Sequence, residues 1–314
     1  MNKKKIWITS AVLMCGLSLG YFSIKHFKTD PSPKHKIVYS VSTPRALSTA
    51  FTRVWEAAGE YDIYFEPSYT PYNFSNKSMT EDKVQEGIPK TFEELKNHFF
   101  EAAKTSHVFT KEIGYTVHEF LLSDQKFVKD PRVQFIFLIR NPHHSLISWH
   151  RLHDRSGKFW IADWDKECSL KDIYEIYQRV CKLSPNPPVI VFAEQIYTNP
   201  EQTITQLFEQ IDQPFDQKCL KWTASKEELN KTNWHFLAEL KRETKHNALT
   251  TSGFQSPTQY QANEKGEPTF NEIENAVDRN NMHRTYQAQK EYFNLFLKES
   301  THHIKRVYLP DLLN

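Results

Sequence analysis

Apolar and polar positions follow two alternating periods along this chain. Lys36 to Val41 (KIVYSV) is a short run of apolar and β-branched residues, which predicts a buried strand. Ser42-Thr43-Pro44-Arg45 breaks it. Leu47, Ala50, Phe51, Val54 and Trp55 then recur at helical spacing, and Gly59 suits the end of that helix. Tyr61 to Phe65 predicts a second strand, stopped at Glu66-Pro67. Ser68 to Lys90 is polar and without period, which predicts a long loop of the lid or substrate kind. Thr91 to Lys104 predicts an amphipathic helix with Thr91 and Glu94 as a capping box. His107 to Thr110 reads as a short strand ending at Lys111-Glu112, and Val117 to Leu122 as helical. Val133 to Ile139 (VQFIFLI) is the clearest buried strand, stopped by Arg140-Asn141-Pro142, with a helix from about His143 to His153. A helix over Ser169 to Leu183, a strand over Pro188 to Phe192 ending at Glu194, and a helix from Pro200 to Ile211 follow. Residues 216 to 314 read as mostly helical, with a long segment from about Phe270 to Lys298. Strands alternating with helices predict an α/β fold: a parallel sheet flanked by helices, with a mostly helical C-terminal part.

The N-terminus differs from the rest. Lys3, Lys4 and Lys5 precede an uncharged stretch from Ile6 to Ile24, which at helical rise nearly spans a bilayer core of about 30 Å. Tyr21-Phe22-Ser23 offers no clean cleavage site, and Met14 before Cys15 argues against a lipoprotein signal. The expectation is a single-pass anchor and linker over residues 1–35 and one domain over 36–314. Lysines flank both ends of the stretch, so the side of the membrane is not readable. A net charge of +2 over 314 residues gives no case for a nucleic-acid partner; any basic site must be local. Cys168, Cys181 and Cys219 have no metal-ligand spacing and form no disulfide framework. Asn73, Asn76 and Asn230 open glycosylation sequons, which matter only in a secretory lumen.

Candidate chemistry gathers where the predicted strands end. Open parallel sheets bind ligands beyond the carboxyl ends of their strands. There stand Thr43 to Thr49, Glu66, Lys111-Glu112, Arg140 to Ser148 and Glu194. The first of these stretches is a strand–loop–helix unit, which aims backbone N–H groups and a helix dipole at one point. Arg45 adds a guanidinium fork, and Ser48 and Thr49 add hydroxyls. It is not a Walker A loop, for it has no glycine and no Lys beside the hydroxyl pair.

Here the chain resembles the sulfotransferases that use 3′-phosphoadenosine 5′-phosphosulfate (PAPS). Their 5′-phosphosulfate loop, Pro-Arg/Lys-x-x-Ser/Thr-Thr after the first strand, is matched by Pro44-Arg45-Ala46-Leu47-Ser48-Thr49. Their 3′-phosphate signature is an apolar strand, Arg-Asp/Asn-Pro, and a Ser eight residues after the Arg. It is matched by FIFLIRNP with Arg140 and Ser148. Val189 to Glu194 followed by Asn199-Pro200-Glu201 also fits, so the resemblance runs from about Lys36 to Leu220. It looks closest to a bacterial and fungal subgroup with an acidic-Pro pair after the second strand and a Lys-acidic pair after the third, where Glu66-Pro67 and Lys111-Glu112 stand.

The resemblance implies a P-loop NTPase-like sulfotransferase fold and PAPS as co-substrate, with no metal required. Arg45, Ala46, Leu47, Ser48 and Thr49 would hold the 5′-phosphosulfate, Arg140 and Ser148 the 3′-phosphate, and Lys111 would approach the transferring group. Glu66 is the first candidate for the base, because some members use a Glu at that strand end; Glu112 and His118 are reserves. Two departures stand out. Leu47 occupies a position where many members have Gly, and Ile113 the place where cytosolic members have a His after the Lys. Their C-terminal glycine-rich nucleotide loop is not evident; Thr251 to Phe254 reads as a plain turn. His143, His144, His150 and His153 cluster without a carboxylate pattern, and Trp149, Trp160 and Trp164 read as core sooner than as an acceptor pocket. The acceptor, a small molecule, glycan or lipid, is not readable. Two other readings remain open: a catalytically silent, membrane-tethered nucleotide-binding protein, and a P-loop-like kinase.

Overall fold

The computed structural model describes residues 34–84, 86–156, 163–222, 234–235, 252–254 and 269–303. Five strands form one parallel sheet: β1 (Ile37–Ser42), β2 (Tyr61–Phe65), β3 (His107–Ile113), β4 (Val133–Ile139) and β5 (Val189–Phe192). Their order is β2-β3-β1-β4-β5. The chain leaves central β1 toward β2 and β3 on one side and then crosses to β4 and β5 on the other. The carboxyl end of β1 is therefore the switch point at which such sheets form a crevice.

Helices α1 (Ser48–Ala58), α2 (Tyr69–Ser75), α3 (Phe92–Ala102), α4 (Gly114–Ser123), α5 (Gln125–Val128) and α6 (Pro142–Ser156) come from the first part of the chain. The short α7 (Trp164–Glu167), then α8 (Leu170–Leu183), α9 (Ala193–Thr198), α10 (Pro200–Gln210) and the long α11 (Ala276–His303) follow among the described residues. The expected parallel α/β architecture with a helical C-terminal part is what the chain adopts.

Side-chain alternation divides the core. Ile37, Tyr39 and Val41 of β1 join Val133, Phe135, Phe137 and Ile139 of β4 on one face, under α3, α4, α8 and α11. Val38, Ile136 and Leu138 face the other way, with Phe51, Val54 and Trp55 of α1 and Leu207 and Phe208 of α10. Trp55 stacks between Phe109 and Phe208, with ring centroids 4.9 and 4.7 Å away. This fixes α1 on the sheet, and with it the loop that enters α1. A smaller cluster joins Leu146 and Ile147 of α6 to Met282 and Tyr286 of α11, and Trp149 and Trp164 pack against it. Those two tryptophans thus follow the core expectation; Trp160 lies outside the described residues.

The close approach of α4 and α8 depends on a glycine. A Cβ on Gly114 would lie 2.5 Å from Cγ1 of Ile173, whose side chain is fully buried and has no room to swing. Gly114→Ala is expected to cost about 1–3 kcal/mol by overpacking, measured as a shift of the urea midpoint at unchanged slope.

Three expectations need correction. The stretch 68–90 is not a plain loop: it holds α2 and a 3₁₀ turn at Glu81–Lys83. Those seven residues of α2 bury only Thr70 and Pro71, so they carry no apolar stripe. Strand β3 does not end before Lys111; it runs to Ile113 with Lys111 and Glu112 both buried. The short α5, α7 and α9 were also not foreseen, each being too short to show a period. Among the described residues no helix is long and apolar enough to cross a membrane. The expected anchor over 6–24 lies outside them, as does most of 223–268.

Candidate functional site

The loop from β1 to α1 has an unusual backbone. Pro44 is held at negative φ by its ring, Arg45 has φ 64°, Ala46 is again negative and Leu47 has φ 69°. Alternation of this kind turns successive N–H groups to one side and makes a concavity for an anion. Leu47 is also the N-cap of α1, with no side-chain cap, so the N-terminus of an 11-residue helix opens onto the same concavity. A left-handed leucine costs roughly 1–2 kcal/mol, and glycine would adopt that φ freely. Ala46 and Ser48 are buried, while Arg45, Leu47 and Thr49 are half-buried.

Arg140 follows β4, the neighbour of β1. Its Nη1 donates to the carbonyl of Arg45 at 2.6 Å. Arg45 in turn donates from Nε to Oγ of Ser148 on α6, at 3.2 Å. The three residues singled out in two separate sequence motifs therefore meet in one cluster. Arg140 is only 5% exposed, and its guanidinium lies 5.6 Å from the ring centre of Tyr197. Glu194, at the start of α9, holds this corner in place: Oε1 accepts from the backbone N of Asn141 at 3.1 Å and lies 3.1 Å from Nδ1 of His144.

The second pair sits at the ends of β2 and β3. Lys111 Nζ donates to Oε1 of Glu66 in an ion pair and lies 4.6 Å from the centre of the Phe65 ring. The backbone N of Glu66 donates to the carbonyl of Lys111 at 2.8 Å. Glu66 has φ 50°. Of five described non-glycine residues with positive φ, three (Arg45, Leu47 and Glu66) stand just past the carboxyl ends of strands. Such concentration of backbone strain is a mark of functional sites.

Glu112, next to Lys111, points to the opposite face and is fully buried. Burial pushes its carboxyl up to about 7, only partly offset by hydrogen bonds from Ser68 and Thr110. This has a consequence for stability. Below pH 4.5 the carboxyl is protonated in both folded and unfolded chain. Between pH 4.5 and 7 the unfolded chain loses the proton while the native protein keeps it, so stability falls as pH rises. The difference between 4.5 and about 7 corresponds to about 3 kcal/mol. Glu112→Gln is expected to remove that loss, and denaturant titrations of both proteins from pH 4.5 to 7.5 measure it.

The remaining candidates lie apart from these pairs. His118 contacts Oε2 of Glu175 on α8 through Nε2 at 2.8 Å. His143 is buried with Nε2 2.7 Å from the carbonyl of Thr269, and burial lowers its pKa. His144 pairs with Glu194 and His150 with Asp278, so His143, His144 and His150 serve different partners. His118 lies with Asp172 and Glu175, and the ligand atoms of all three fall within 4.8 Å of one another, a group able to hold a metal ion. Sequence reasoning passed over Ser68, Thr110 and Thr116, whose hydroxyls surround Glu112; single hydroxyl residues carry no pattern that would have marked them.

No family model matches the sequence. The chain is similar to branched-chain-amino-acid aminotransferase-like protein 2 of Arabidopsis thaliana, with 25% identity over 230 residues, which cover 72% of this chain and 37% of that protein. It spans about a third of the length of the curated relatives it matches. Among solved structures it superposes on a sulfotransferase domain from the curacin biosynthetic pathway. The TM-score is 0.41 and the identity 14%, over 85% of this chain and 98% of that one. A mouse sulfotransferase complexed with PAP gives a TM-score of 0.41 at 9% identity, over 84% of this chain and 88% of that one.

Proposed function

We propose that this chain is a sulfotransferase that transfers a sulfuryl group from PAPS to a hydroxyl or amine acceptor. The observation that carries the proposal is the meeting of Arg45, Arg140 and Ser148 at the mouth of an N–H concavity on the switch point of the sheet. PAPS carries two separate anionic groups, and the residues fit both. The concavity over 44–47, the N-terminus of α1 and the hydroxyls of Ser48 and Thr49 suit the 5′-phosphosulfate. The Arg140 and Ser148 pair suits the 3′-phosphate, which distinguishes PAPS from ATP.

Bound PAPS supplies an activated sulfuryl group, whose transfer forms the O–S or N–S bond to the acceptor and leaves 3′-phosphoadenosine 5′-phosphate (PAP). The chain's own work is positioning and charge compensation. Arg45 and the loop N–H groups neutralise charge at the leaving phosphate. Lys111, on the face of the sheet that α1 covers, offers its ammonium to the oxygens of the transferring group. That exchange of partners frees the Glu66 carboxylate, which then takes the proton of the acceptor hydroxyl. The acceptor is proposed only as a small molecule, glycan or lipid with a nucleophilic hydroxyl or amine.

Turnover tests the reading. Full-length protein is incubated with PAPS and a panel of sugars, phenols, aliphatic alcohols and amines, and PAP release is followed. Acceptor-dependent release is expected for at least one class. PAP binding without acceptor-dependent release for any class would instead favour a catalytically silent nucleotide-binding protein.

A further inference from the structure

Glu112 takes no part in the mechanism above, yet it is a carboxylate with no exposed surface at the same end of the sheet. Among the described residues no Lys or Arg forms a salt bridge with it. Hydroxyl and amide groups surround it instead. Ser68 donates from both Oγ and backbone N to Oε2, the latter at 3.4 Å. Thr110 Oγ1 donates to Oε1 at 3.1 Å. Ser68 Oγ is also 2.8 Å from Thr116 Oγ1, which donates to the carbonyl of Ile113 at 2.8 Å. The titratable groups facing Glu112 are Tyr39 of β1, whose phenol is held high by burial and by the Glu112 charge, and Glu66.

Position along the strand gives this cluster its meaning. Lys111 and Glu112 are neighbours in β3 and so point to opposite faces. Lys111 grips the Glu66 side chain on the α1 face. Glu112 grips Ser68 on the α4 face. Between Glu66, in its left-handed conformation, and Ser68 lies only Pro67. The turn from β2 to α2 is thus held from both sides of one strand, and α2 begins directly after it, with Tyr69 N donating to the carbonyl of Glu66 at 3.1 Å.

We infer that Glu112 is a positioning residue: through Ser68 it locks the turn between β2 and α2 and keeps Glu66 aligned with Lys111. The catalytic consequence rests on the sulfotransferase reading; the clamp itself does not. Losing the Ser68 contact loosens the turn that carries the left-handed Glu66, whose side chain is paired with Lys111, the partner it must release during turnover. Burying a carboxylate without a cation is costly, and that cost has a use if the carboxylate fixes the base.

The test uses full-length Glu112→Ala, Glu112→Gln, Ser68→Ala and the Glu112→Ala/Ser68→Ala pair. In Glu112→Ala, amide hydrogen exchange from Ser68 through Tyr72 is expected to quicken at least about tenfold. Turnover should fall about 10–100-fold with the acceptor KM and the PAP dissociation constant within twofold of wild type. Glu112→Gln, which keeps an oxygen for Ser68, should recover most of that loss. The double variant should be no worse than Glu112→Ala, because both act through one contact. Unchanged exchange at 68–72 in a folded Glu112→Ala protein would overturn the clamp. Equal loss of turnover and of PAP affinity would also overturn it, by marking general damage. A wild-type protein without turnover, whose turn nevertheless loosens in Glu112→Ala, would retire the sulfotransferase reading and leave the clamp standing.

Discussion

Glu66→Gln is expected to lower turnover by about 10²–10⁴ while leaving nucleotide affinity within twofold. The substitution keeps the shape of the side chain and removes its ability to take a proton. It also removes the charge opposite Lys111, so Lys111 remains available for the transferring group and the KM for PAPS should not rise. The loss should therefore appear in kcat, as expected for an interaction that matters only in the transition state. Lys111→Ala differs in kind. It deletes a cation that is nearly buried and leaves Glu66 without its partner, so both kcat and the alignment of the turn should suffer. Steady-state kinetics of the two variants at saturating acceptor separate these outcomes. A Glu66→Gln protein that turns over at the wild-type rate would move the proton acceptor elsewhere.

Arg140→Ala is expected to weaken PAP binding by roughly a hundredfold or more, since truncating a buried, hydrogen-bonded charge typically costs about 2–5 kcal/mol. Arg140 does two things at once: its fork lies beside Ser148's partner Arg45, and its Nη1 holds the Arg45 carbonyl in the left-handed loop. Arg140→Lys keeps the charge and loses the planar fork. Recovery of less than a tenth of the affinity in Arg140→Lys, measured by calorimetry, would show that geometry as well as charge is required.

The meeting of Arg45, Arg140 and Ser148 was legible because each of their stretches follows a strand with a clear apolar run. VQFIFLI marks β4, so Arg140 and Ser148 could be placed just beyond it, and KIVYSV does the same for the loop over 44–49. What was not legible depends on partners distant in the chain. Lys111 and Glu112 looked like a strand end because charged residues seldom lie in a buried strand. Their burial is explained by Phe65, Glu66 and Ser68, more than forty residues earlier. The left-handed backbone at Leu47 and Glu66 was equally hidden, since neither residue type suggests it. Leu47 takes a φ that glycine would adopt freely, at a cost in strain. Helix α2 escaped notice because its contacts, not its own period, hold it in place.

In the proposed function, this sheet end recognises a nucleotide through its 3′-phosphate. The most direct measurement is the thermal stability of the full-length protein with PAP, set against AMP and ATP at equal concentration. PAP at a hundredfold excess over its dissociation constant should add about 2.7 kcal/mol of stability. AMP and ATP should add far less, and Arg140→Ala should lose the PAP effect. A folded wild-type protein that PAP stabilises no more than AMP does would contradict the account.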